Sequence, residues 1–490
     1  MDSGESPQNE RHKRAGKKRG RGNRNTELVL ISWVFVVLFA FLGGNLIYLQ
    51  VAKSAQYNAS AYNSKKDAAA DLVVRGSILT EDGEALAYTE VDYTGNETRV
   101  YPYGRIFAHT IGYATNGKGG LEATENGTLM SSHISLLSQL GNARSNEKQK
   151  GDSLVVTLNP KLQQAAWYAL GDYRGAVVIM EPGSGKILAM VSKPDFDPNT
   201  IGYDWEMINA DESGSALLNR ATSGLYPPGS IFKILTTLAY LRENPNVWEN
   251  FTYNCEGVLT KGDVSITCYN SIVHGSETLR SAFANSCNTA FASIGLDLSN
   301  SAFRKLAENF LFDHKLPTDI VCAKSRFTLT KNSSIGEQMT TAIGQGDTLV
   351  TPIHMAMIAS TVANAGTMMR PYLISRVISA DGETVTENSP KIFNELMSVE
   401  EASVLSSFMQ ETVNSGTGTA LSGAGYTVAG KTGSAEYETG NGTGTHSWFV
   451  GFTNVDDPDL AIAVIAEDGG TGSSTAVPIA KAIFDSYYYS

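Results

Sequence analysis

An uncharged apolar run of 22 residues, from Leu28 to Leu49, constrains this 490-residue chain more than any other feature. Its length and its content of Leu, Val, Ile and Phe suit one helical crossing of a lipid bilayer. Trp33 and Tyr48 lie toward its two ends, where interfacial aromatic residues are favoured. A cleaved signal peptide is the alternative, but the run is long for one and no small-x-small cleavage site follows it. We therefore predict an uncleaved transmembrane anchor at residues 28–50.

The segment before the apolar run, residues 1–27, is strongly basic. It carries Arg11, Lys13, Arg14, Lys17, Lys18, Arg19, Arg21 and Arg24. Few apolar residues accompany them, which is typical of a disordered tail. Positive residues that flank a span stay in the cytoplasm, so we predict a single-pass protein of the cell membrane with its N-terminus inside and the rest of the chain outside. The net charge of −12 argues against general binding of nucleic acid.

The rest of the chain divides at about residue 150, where a polar segment ends. Residues 51–150 form a small mixed region with Gly-rich turns, which we interpret as a pedestal domain because it is too short to hold a second sizeable catalytic domain. Residues 151–490 are interpreted as one large domain. It opens with two β-rich runs, 175–180 and 186–192, joined by a Pro-Gly-Ser-Gly turn.

The large domain alternates between strand and helix patterns in an informative order. The sequence predicts helices at 160–170, 230–243, 277–298, 301–310, 352–365, 402–414 and 476–487, and late strands at 426–435, 446–453 and 460–467. Two strands, a helical insert, three strands and a last helix predict an α+β fold. Its five-stranded antiparallel sheet would be covered by helices, and the two ends of the domain would meet in that sheet.

The stretch from Tyr226 to Lys233 reads Tyr-Pro-Pro-Gly-Ser-Ile-Phe-Lys and predicts the start of a helix. Ser230 lies at its mouth, and Lys233 follows one turn later on the same face. A partly desolvated lysine there can lose its proton and act as a base toward the serine, as in an S-x-x-K nucleophile. Alone, the pattern favours an ordinary helix cap with a solvated lysine over a nucleophile, and a second copy at residues 145–148 lies in a polar run without a helix start.

Two further motifs follow in the order that this chemistry requires. Ser286 and Asn288 form the one S-x-N in the sequence, 56 residues after Ser230. Lys431, Thr432 and Gly433 form its one K-T-G, a further 145 residues on, at the start of a predicted strand. Each motif is common by chance, but the three in this order favour a serine acyltransferase.

With these motifs the chain resembles the class B (monofunctional) penicillin-binding proteins. Within that class it resembles the penicillin-binding protein A type. The resemblance covers nearly everything after the anchor and rests on Tyr226–Lys233, Ser286–Phe291, Gly344-Gln-Gly346, Thr351-Pro352, Ala429–Ser434, Trp448–Phe452, Arg75-Gly-Ser-Ile78 and Gly120-Leu-Glu122. The chain departs from the family at Thr80 and Glu81, where Asp-Arg is usual, and at Ser434, where threonine is common. The resemblance implies the penicillin-binding transpeptidase fold, with an all-helical subdomain beside the sheet.

The family's roles, carried over to the matching positions, imply a peptidoglycan D,D-transpeptidase. Ser230 would attack the carbonyl between two terminal D-alanines and Lys233 would be its base. Ser286 would relay a proton to the leaving amine, and Asn288 would hold Lys233 and the substrate backbone. Lys431 would supply positive charge near the leaving group and the terminal carboxylate, which Thr432 and Ser434 would bind beside Gly433. Partners implied by the resemblance are stem peptides, β-lactams, the membrane and a polytopic glycan polymerase.

Two rival functions stay open at this point. A D,D-carboxypeptidase or β-lactamase would pass the acyl group to water, and a non-catalytic cell-wall scaffold would not need the serine.

The sequence has four cysteines, Cys255, Cys268, Cys287 and Cys322. Cys255 and Cys268 flank a hairpin-like segment and could pair, although spacing does not decide connectivity. Cys287 is interpreted as a buried thiol. No Cys/His grouping has the usual spacing of a metal site, so we predict no metal and no cofactor.

Overall fold

Helix α1 (Arg24–Tyr48) contains the apolar run up to Tyr48, and the last two residues of the predicted anchor, 49 and 50, lie outside the described residues. A computed structural model of the chain describes residues 24–48, 73–134, 148–211, 214–439 and 442–489. Within α1, the part from Leu28 to Asn45 has a mean hydropathy of 2.3 and is long and apolar enough to cross a membrane. Residues 1–23, which hold most of the predicted basic tail, lie outside the described residues. Residues 145–147, the first three of the second S-x-x-K copy, also lie outside them. The helix belongs to a unit that ends at Ser60, and a second unit comprises Ala61–Ser490.

The second unit contains the strands and the other helices that the structure describes. The strands are β1 (Val73–Val74), β2 (Ile78–Thr80), β3 (Ala85–Val91), β4 (Glu97–Val100), β5 (Gln149–Lys150), β6 (Ser153–Val156), β7 (Gly175–Met180), β8 (Ile187–Lys193), β9 (Thr252–Cys255), β10 (Val258–Lys261), β11 (Val264–Thr267), β12 (Gly275–Thr278), β13 (Thr367–Met369), β14 (Ile374–Ile378), β15 (Thr384–Glu387), β16 (Ile392–Glu395), β17 (Val428–Thr439), β18 (Gly442–Thr453) and β19 (Ala461–Ala466). The helices are α2 (Ala108–Ile111), α3 (Gly120–Thr124), α4 (Asn126–Leu129), α5 (Pro160–Leu170), α6 (Ile201–Ala210), α7 (Arg220–Ser223), α8 (Lys233–Glu243), α9 (Leu279–Ala284), α10 (Asn288–Asp297), α11 (Asn300–Asn309), α12 (Ile335–Ala342), α13 (Pro352–Ala363), α14 (Val399–Asn414) and α15 (Val477–Tyr488).

The predicted five-stranded antiparallel sheet is confirmed, with the order β17-β18-β19-β7-β8. Its strands form where apolar, β-branched residues are buried on both faces: every residue of β7 and β19 is buried. The early strands β7 and β8 extend the sheet formed by the late strands, so residues 194–427 are inserted between two halves of one sheet. In the β17–β18 pair, Lys431 lies opposite Val450 and Ser434 opposite Ser447.

Different helices cover the two faces of this sheet, because successive strand residues point to opposite sides. Val177 and Ile179 belong to an apolar cluster with residues of α5 and α15. Ala176 and Val178 belong to the other cluster, which includes α8, α13 and α14. Nearly all side chains of α13 are buried, so this helix forms the centre of the larger core.

The pedestal region shares a sheet with two later segments. A six-stranded sheet has the order β15-β14-β6-β2-β3-β4, in which β2 and β6 run parallel and the other pairs antiparallel. Strands β6, β14 and β15 follow residue 150 in the sequence, so this sheet contains strands from both predicted domains. The domain boundary at residue 150 stays a prediction. The motifs Arg75–Ile78 and Gly120–Glu122 contact each other beside this sheet. The carboxylate of the fully buried Glu122 accepts hydrogen bonds from Arg75 Nε at 2.5 Å and from Arg99 Nε at 2.7 Å.

The prediction of one continuous helix over residues 277–298 is wrong. Strand β12 occupies its start, and helices α9 and α10 are separated by a break that contains Ser286. Ser286 has a φ of +57°, a left-handed conformation that helices do not continue through. The Cys287 sulfur then accepts the backbone N–H of Ala290 and caps α10. The break therefore ends one helix and begins the next within the S-x-N motif.

Candidate active site

Ser230 lies in a short 3-10 turn, Gly229–Phe232, that leads directly into α8. The helix start predicted from the sequence is thus confirmed, with Pro228 just before the turn. The N-cap residue of the turn is Pro228 and that of α8 is Phe232, so Ser230 occupies neither capping position. The interpretation of Ser230 as an ordinary cap therefore finds no support, and Lys233 stands at the first position of α8.

The chain before Ser230 is held from three sides. The backbone N–H and C=O of Tyr226 pair with those of Val350 at 3.0 and 2.8 Å, and Gly229 N–H donates to the Gly344 oxygen at 2.8 Å. Trp448 Nε1–H on β18 donates to the Pro227 oxygen at 3.1 Å. Gly344 has a φ of +77°, and a Cβ placed on it would lie 2.0 Å from the Gly229 oxygen. Only glycine permits this approach, which fixes the turn that carries the serine.

Lys233 joins the first two motifs. Its side chain is fully buried, and Nζ lies 2.8 Å from the backbone oxygen of Ser286, 2.8 Å from Asn288 Oδ1 and 3.3 Å from Ser286 Oγ. Burial lowers the pKa of Lys233 to about 7. A substantial fraction of this amine is therefore neutral at neutral pH, and a neutral amine can accept a proton from a hydroxyl.

The left-handed Ser286 directs its own carbonyl at Lys233 Nζ. Asn288 Oδ1 accepts from the same nitrogen, while its Nδ2 donates to the Thr267 oxygen at 3.0 Å. The break between α9 and α10, which sequence periodicity does not reveal, thus brings both residues of the S-x-N motif to the lysine.

The K-T-G motif lies on β17, against the serine turn. A Cβ placed on Gly433 would lie 3.1 Å from the Pro228 oxygen, and one on Gly229 would lie 2.9 Å from the Ser434 oxygen. Lys431 is fully buried, and Nζ donates to the Thr432 oxygen at 3.2 Å. Burial and the nearby Lys233 hold the pKa of Lys431 well below its usual value. The strand and the turn are therefore in backbone contact.

One cavity of about 640 Å³ connects these elements. The predicted site residues that line it are Ser230, Ser286, Asn288, Thr432 and Ser434. Lys233, Lys431 and Gly433 adjoin these lining residues or the serine turn through the contacts given above. Thr417, which the sequence analysis does not identify, also lines the cavity, and its Oγ1 lies 2.5 Å from Thr432 Oγ1. The structure thus brings together all eight residues predicted from three separate motifs.

Comparison with known families agrees with this geometry. Residues 175–485 match the penicillin binding protein transpeptidase domain, and residues 75–154 match the penicillin binding protein A dimerisation domain. The chain belongs to the penicillin-binding transpeptidases.

Among the relatives of this penicillin-binding transpeptidase is the peptidoglycan D,D-transpeptidase PbpA of Mycolicibacterium smegmatis. It is 33% identical over 488 residues, which cover 94% of this chain and 98% of the relative. The penicillin G acyl-enzyme complex of penicillin-binding protein A from M. tuberculosis is similar in structure, with a TM-score of 0.77, 30% identity and coverage of 84% and 99%. The D,D-transpeptidase domain from Eggerthella lenta has a TM-score of 0.76 at 32% identity, with coverage of 85% and 98%. The family resemblance and the fold class inferred from the sequence are confirmed.

An ion-pair network around the half-buried Glu467 supports the start of the nucleophile motif in this transpeptidase. Glu467, just after β19, accepts hydrogen bonds from the Tyr226 hydroxyl and from Arg220 Nε–H at 2.7 Å each. It also accepts one from Arg174 Nε–H at 3.0 Å. Burial by itself raises the pKa of Glu467, but these donors outweigh it and lower the pKa below its usual value. Arg220 is almost completely buried, so its charge depends on this partner. Sequence reasoning misses the network because its members are far apart in the chain.

A second group missed by sequence reasoning lies beside the S-x-N motif. The sulfur atoms of Cys255, Cys268 and Cys287 and a ring nitrogen of His274 all lie within 4.8 Å of one another. The predicted burial of Cys287 is confirmed. Cys255 Sγ and Cys268 Sγ are 3.7 Å apart and not bonded to each other. The cluster escapes the sequence analysis because none of its ligands form a close pair of the C-x-x-C kind.

Proposed function

We propose that this protein is a peptidoglycan D,D-transpeptidase that crosslinks stem peptides through a Ser230 acyl-enzyme, and that β-lactams trap the same serine. The observation that carries the proposal is the position of Lys233. A buried amine with a pKa of about 7 follows the serine by one turn and contacts Ser286 and Asn288. An amine tuned in this way has the protonation state that a general base needs at neutral pH.

The first half of the reaction forms the acyl-enzyme. Ser230 Oγ attacks the carbonyl carbon between the two D-alanines and its proton passes to Lys233 Nζ. The oxygen of the tetrahedral intermediate becomes negative and is held by the backbone N–H groups of Ser230 and Ser434, an arrangement that typically lowers a barrier by about 3 kcal/mol. The C–N bond then breaks. The proton travels from Lys233 through the Ser286 hydroxyl to the leaving amine, and D-alanine departs.

The second half transfers the acyl group. An amine of a second stem peptide attacks the ester carbonyl, gives its proton back along the Ser286–Lys233 path, and expels Ser230 as a free hydroxyl. Lys431 supplies positive charge toward the substrate's terminal carboxylate, whose own negative charge favours protonation of this buried lysine. Thr432 and Ser434 donate hydrogen bonds to the same carboxylate, and Asn288 has a second Nδ2 hydrogen for the substrate backbone.

A transfer assay separates this function from hydrolysis. The full-length protein in detergent, given a donor peptide ending in D-Ala-D-Ala and a D-amino acid acceptor, should yield mainly the transfer product by mass spectrometry. It should also hold a penicilloyl group far longer than a few seconds. Predominant hydrolysis and rapid loss of the penicilloyl group would instead support a carboxypeptidase or β-lactamase.

The apolar helix α1 supports a single-pass anchor, and the basic residues that precede it in the sequence support a cytoplasmic N-terminus. The cavity would then lie outside the membrane, where the crosslinked polymer is, and a glycan polymerase would work beside it. Protease added to intact cells should digest the residues after the anchor and spare the basic tail. Protection of the Ser230 region in intact cells would contradict this orientation.

A further inference from the structure

The cysteine and histidine cluster beside the cavity has the chemistry of a closed metal site. Cys255 ends β9, Cys268 follows β11, His274 precedes β12, and Cys287 caps α10. Three ligands thus come from the β-region formed by β9 to β12 (residues 252–278), and the fourth comes from the S-x-N motif. The three cysteine side chains are almost completely buried.

Three of the six ligand-to-ligand distances match those of a tetrahedral ion, and all six lie within 4.8 Å. Cys255 Sγ and Cys268 Sγ are 3.7 Å apart, Cys268 Sγ and Cys287 Sγ are 3.8 Å apart, and Cys255 Sγ lies 3.4 Å from His274 Nδ1. A zinc ion with Zn–S bonds of about 2.3 Å and a Zn–N bond of about 2.0 Å sets its sulfur ligands about 3.8 Å apart, and a sulfur and a nitrogen about 3.5 Å apart. A disulfide needs about 2.05 Å between sulfurs and joins only two of the three thiols.

Hydrogen-bond donors surround the sulfur atoms, as they commonly surround metal-bound thiolates. Thr289 Oγ1 lies 3.2 Å from Cys255 Sγ and 3.3 Å from Cys287 Sγ. The backbone N–H of Gly257 donates to Cys255 Sγ at 3.4 Å, and that of Ala290 donates to Cys287 Sγ at 3.5 Å. Such outer donors orient ligands and stabilise negative charge on sulfur. The helix N-terminus at Cys287 acts in the same direction.

We propose that Cys255, Cys268, His274 and Cys287 bind one structural Zn²⁺ ion. Three thiols release their protons to solvent and bind as thiolates, while neutral His274 binds through Nδ1 and keeps its proton on Nε2. Three sulfurs and one nitrogen in a tetrahedron favour zinc among the common metals. Four protein ligands leave no open position, so the ion holds the fold and takes no part in the acyl transfer.

The ion also ties the β-region to the catalytic motif. Cys287 stands between Ser286 and Asn288, both of which contact Lys233 Nζ, and Thr267, next to Cys268, accepts the Asn288 amide. Removal of zinc from the folded chain should therefore displace these contacts and slow β-lactam acylation by about tenfold to a hundredfold. Zn²⁺ should restore the rate and Mg²⁺ should not. A chelated chain that acylates at an unchanged rate would overturn this link.

The site itself is tested on the full-length protein in detergent, isolated without reductant or added metal. Elemental analysis should find about one zinc per chain. After denaturation with a chelator, all four cysteines should react with an alkylating reagent. A chain with less than about a tenth of a zinc, or one in which two cysteines resist alkylation as a disulfide, would overturn the proposal.

Variants and a spectroscopic probe locate the ion. Co²⁺ exchanged into the wild-type chain should give the absorption bands of tetrahedral cobalt–thiolate coordination. Cys255→Ser and His274→Ala should lose bound zinc, whereas Cys322→Ser, outside the cluster, should retain it. Ser230→Ala should keep zinc while losing acylation, so that failure of the metal site and failure of the proposed function are distinguishable. If the ligand variants do not fold, the cobalt spectrum of the wild type decides, and octahedral cobalt would contradict the site.

Discussion

The Ser230→Ala variant should form no covalent adduct with a fluorescent penicillin and should lose transpeptidation by roughly 10⁵-fold or more, the scale seen when an enzyme loses its nucleophile. Alanine has no lone pair with which to attack the carbonyl, and no neighbouring group takes over the role. Ser230 occupies the N-cap position of neither the turn nor α8, so its loss should leave the melting temperature almost unchanged.

The matched control is Ser473→Ala. Ser473 also lines the cavity and belongs to none of the three motifs, and its Oγ lies 3.1 Å from Thr471 Oγ1. We expect it to label at the wild-type rate. If Ser230→Ala supported normal crosslinking and growth in cells that depend on this protein, the scaffold hypothesis would replace the enzymatic one.

Lys233→Met should reduce the rate constant for β-lactam acylation by about 10³-fold while leaving Ser230 in place. General-base contributions commonly lie between about 10² and 10⁴. Methionine fills a similar volume but accepts no proton, and it leaves the Ser286 carbonyl and Asn288 Oδ1 without their donor. Unpartnered buried acceptors cost about 1–3 kcal/mol each, so a moderate loss of stability should accompany the loss of rate. An acylation rate within a few-fold of the wild type would contradict the role of Lys233.

The same assignment predicts the pH dependence of wild-type acylation. The pKa of Lys233 is lowered to about 7 by burial, and only the neutral amine acts as a base. The rate constant should therefore be constant in alkaline solution, reach half its maximum near pH 7, and fall about tenfold per pH unit in acid. A stopped-flow titration with a chromogenic β-lactam measures this profile. A rate constant that is flat through neutrality would exclude a base with this pKa.

The main sheet could be predicted from sequence because its strands carry strong local signals. Strands β7 and β19 are short apolar runs, and β7 is bounded by a turn rich in Pro and Gly, so their existence follows from burial alone. The candidate site residues could be selected because three short motifs with reactive side chains occur in one chain, and the first of them follows a Pro-Pro-Gly turn. The order of the motifs then supplied the long-range information that single patterns lack.

The features that the sequence did not reveal depend on contacts between distant segments. The break at Ser286 is a left-handed conformation at a residue that commonly occurs within helices, so periodicity continues through it. Arg220 and Glu467 are 247 residues apart and become partners only when the sheet closes. Cys268 and Cys287 are 19 residues apart, and their loops meet at His274 only in the folded chain. In each case tertiary packing, which no local pattern encodes, decides the geometry.

The most direct test of the central claim is to map the site of acylation. The full-length protein is treated with penicillin, digested, and analysed by tandem mass spectrometry. We predict one penicilloyl group per chain, on the peptide that contains Tyr226–Lys233, with fragment ions that place it on Ser230. An adduct on any other residue, or a chain that acquires no adduct although it is folded, would contradict the assignment of Ser230 as the nucleophile.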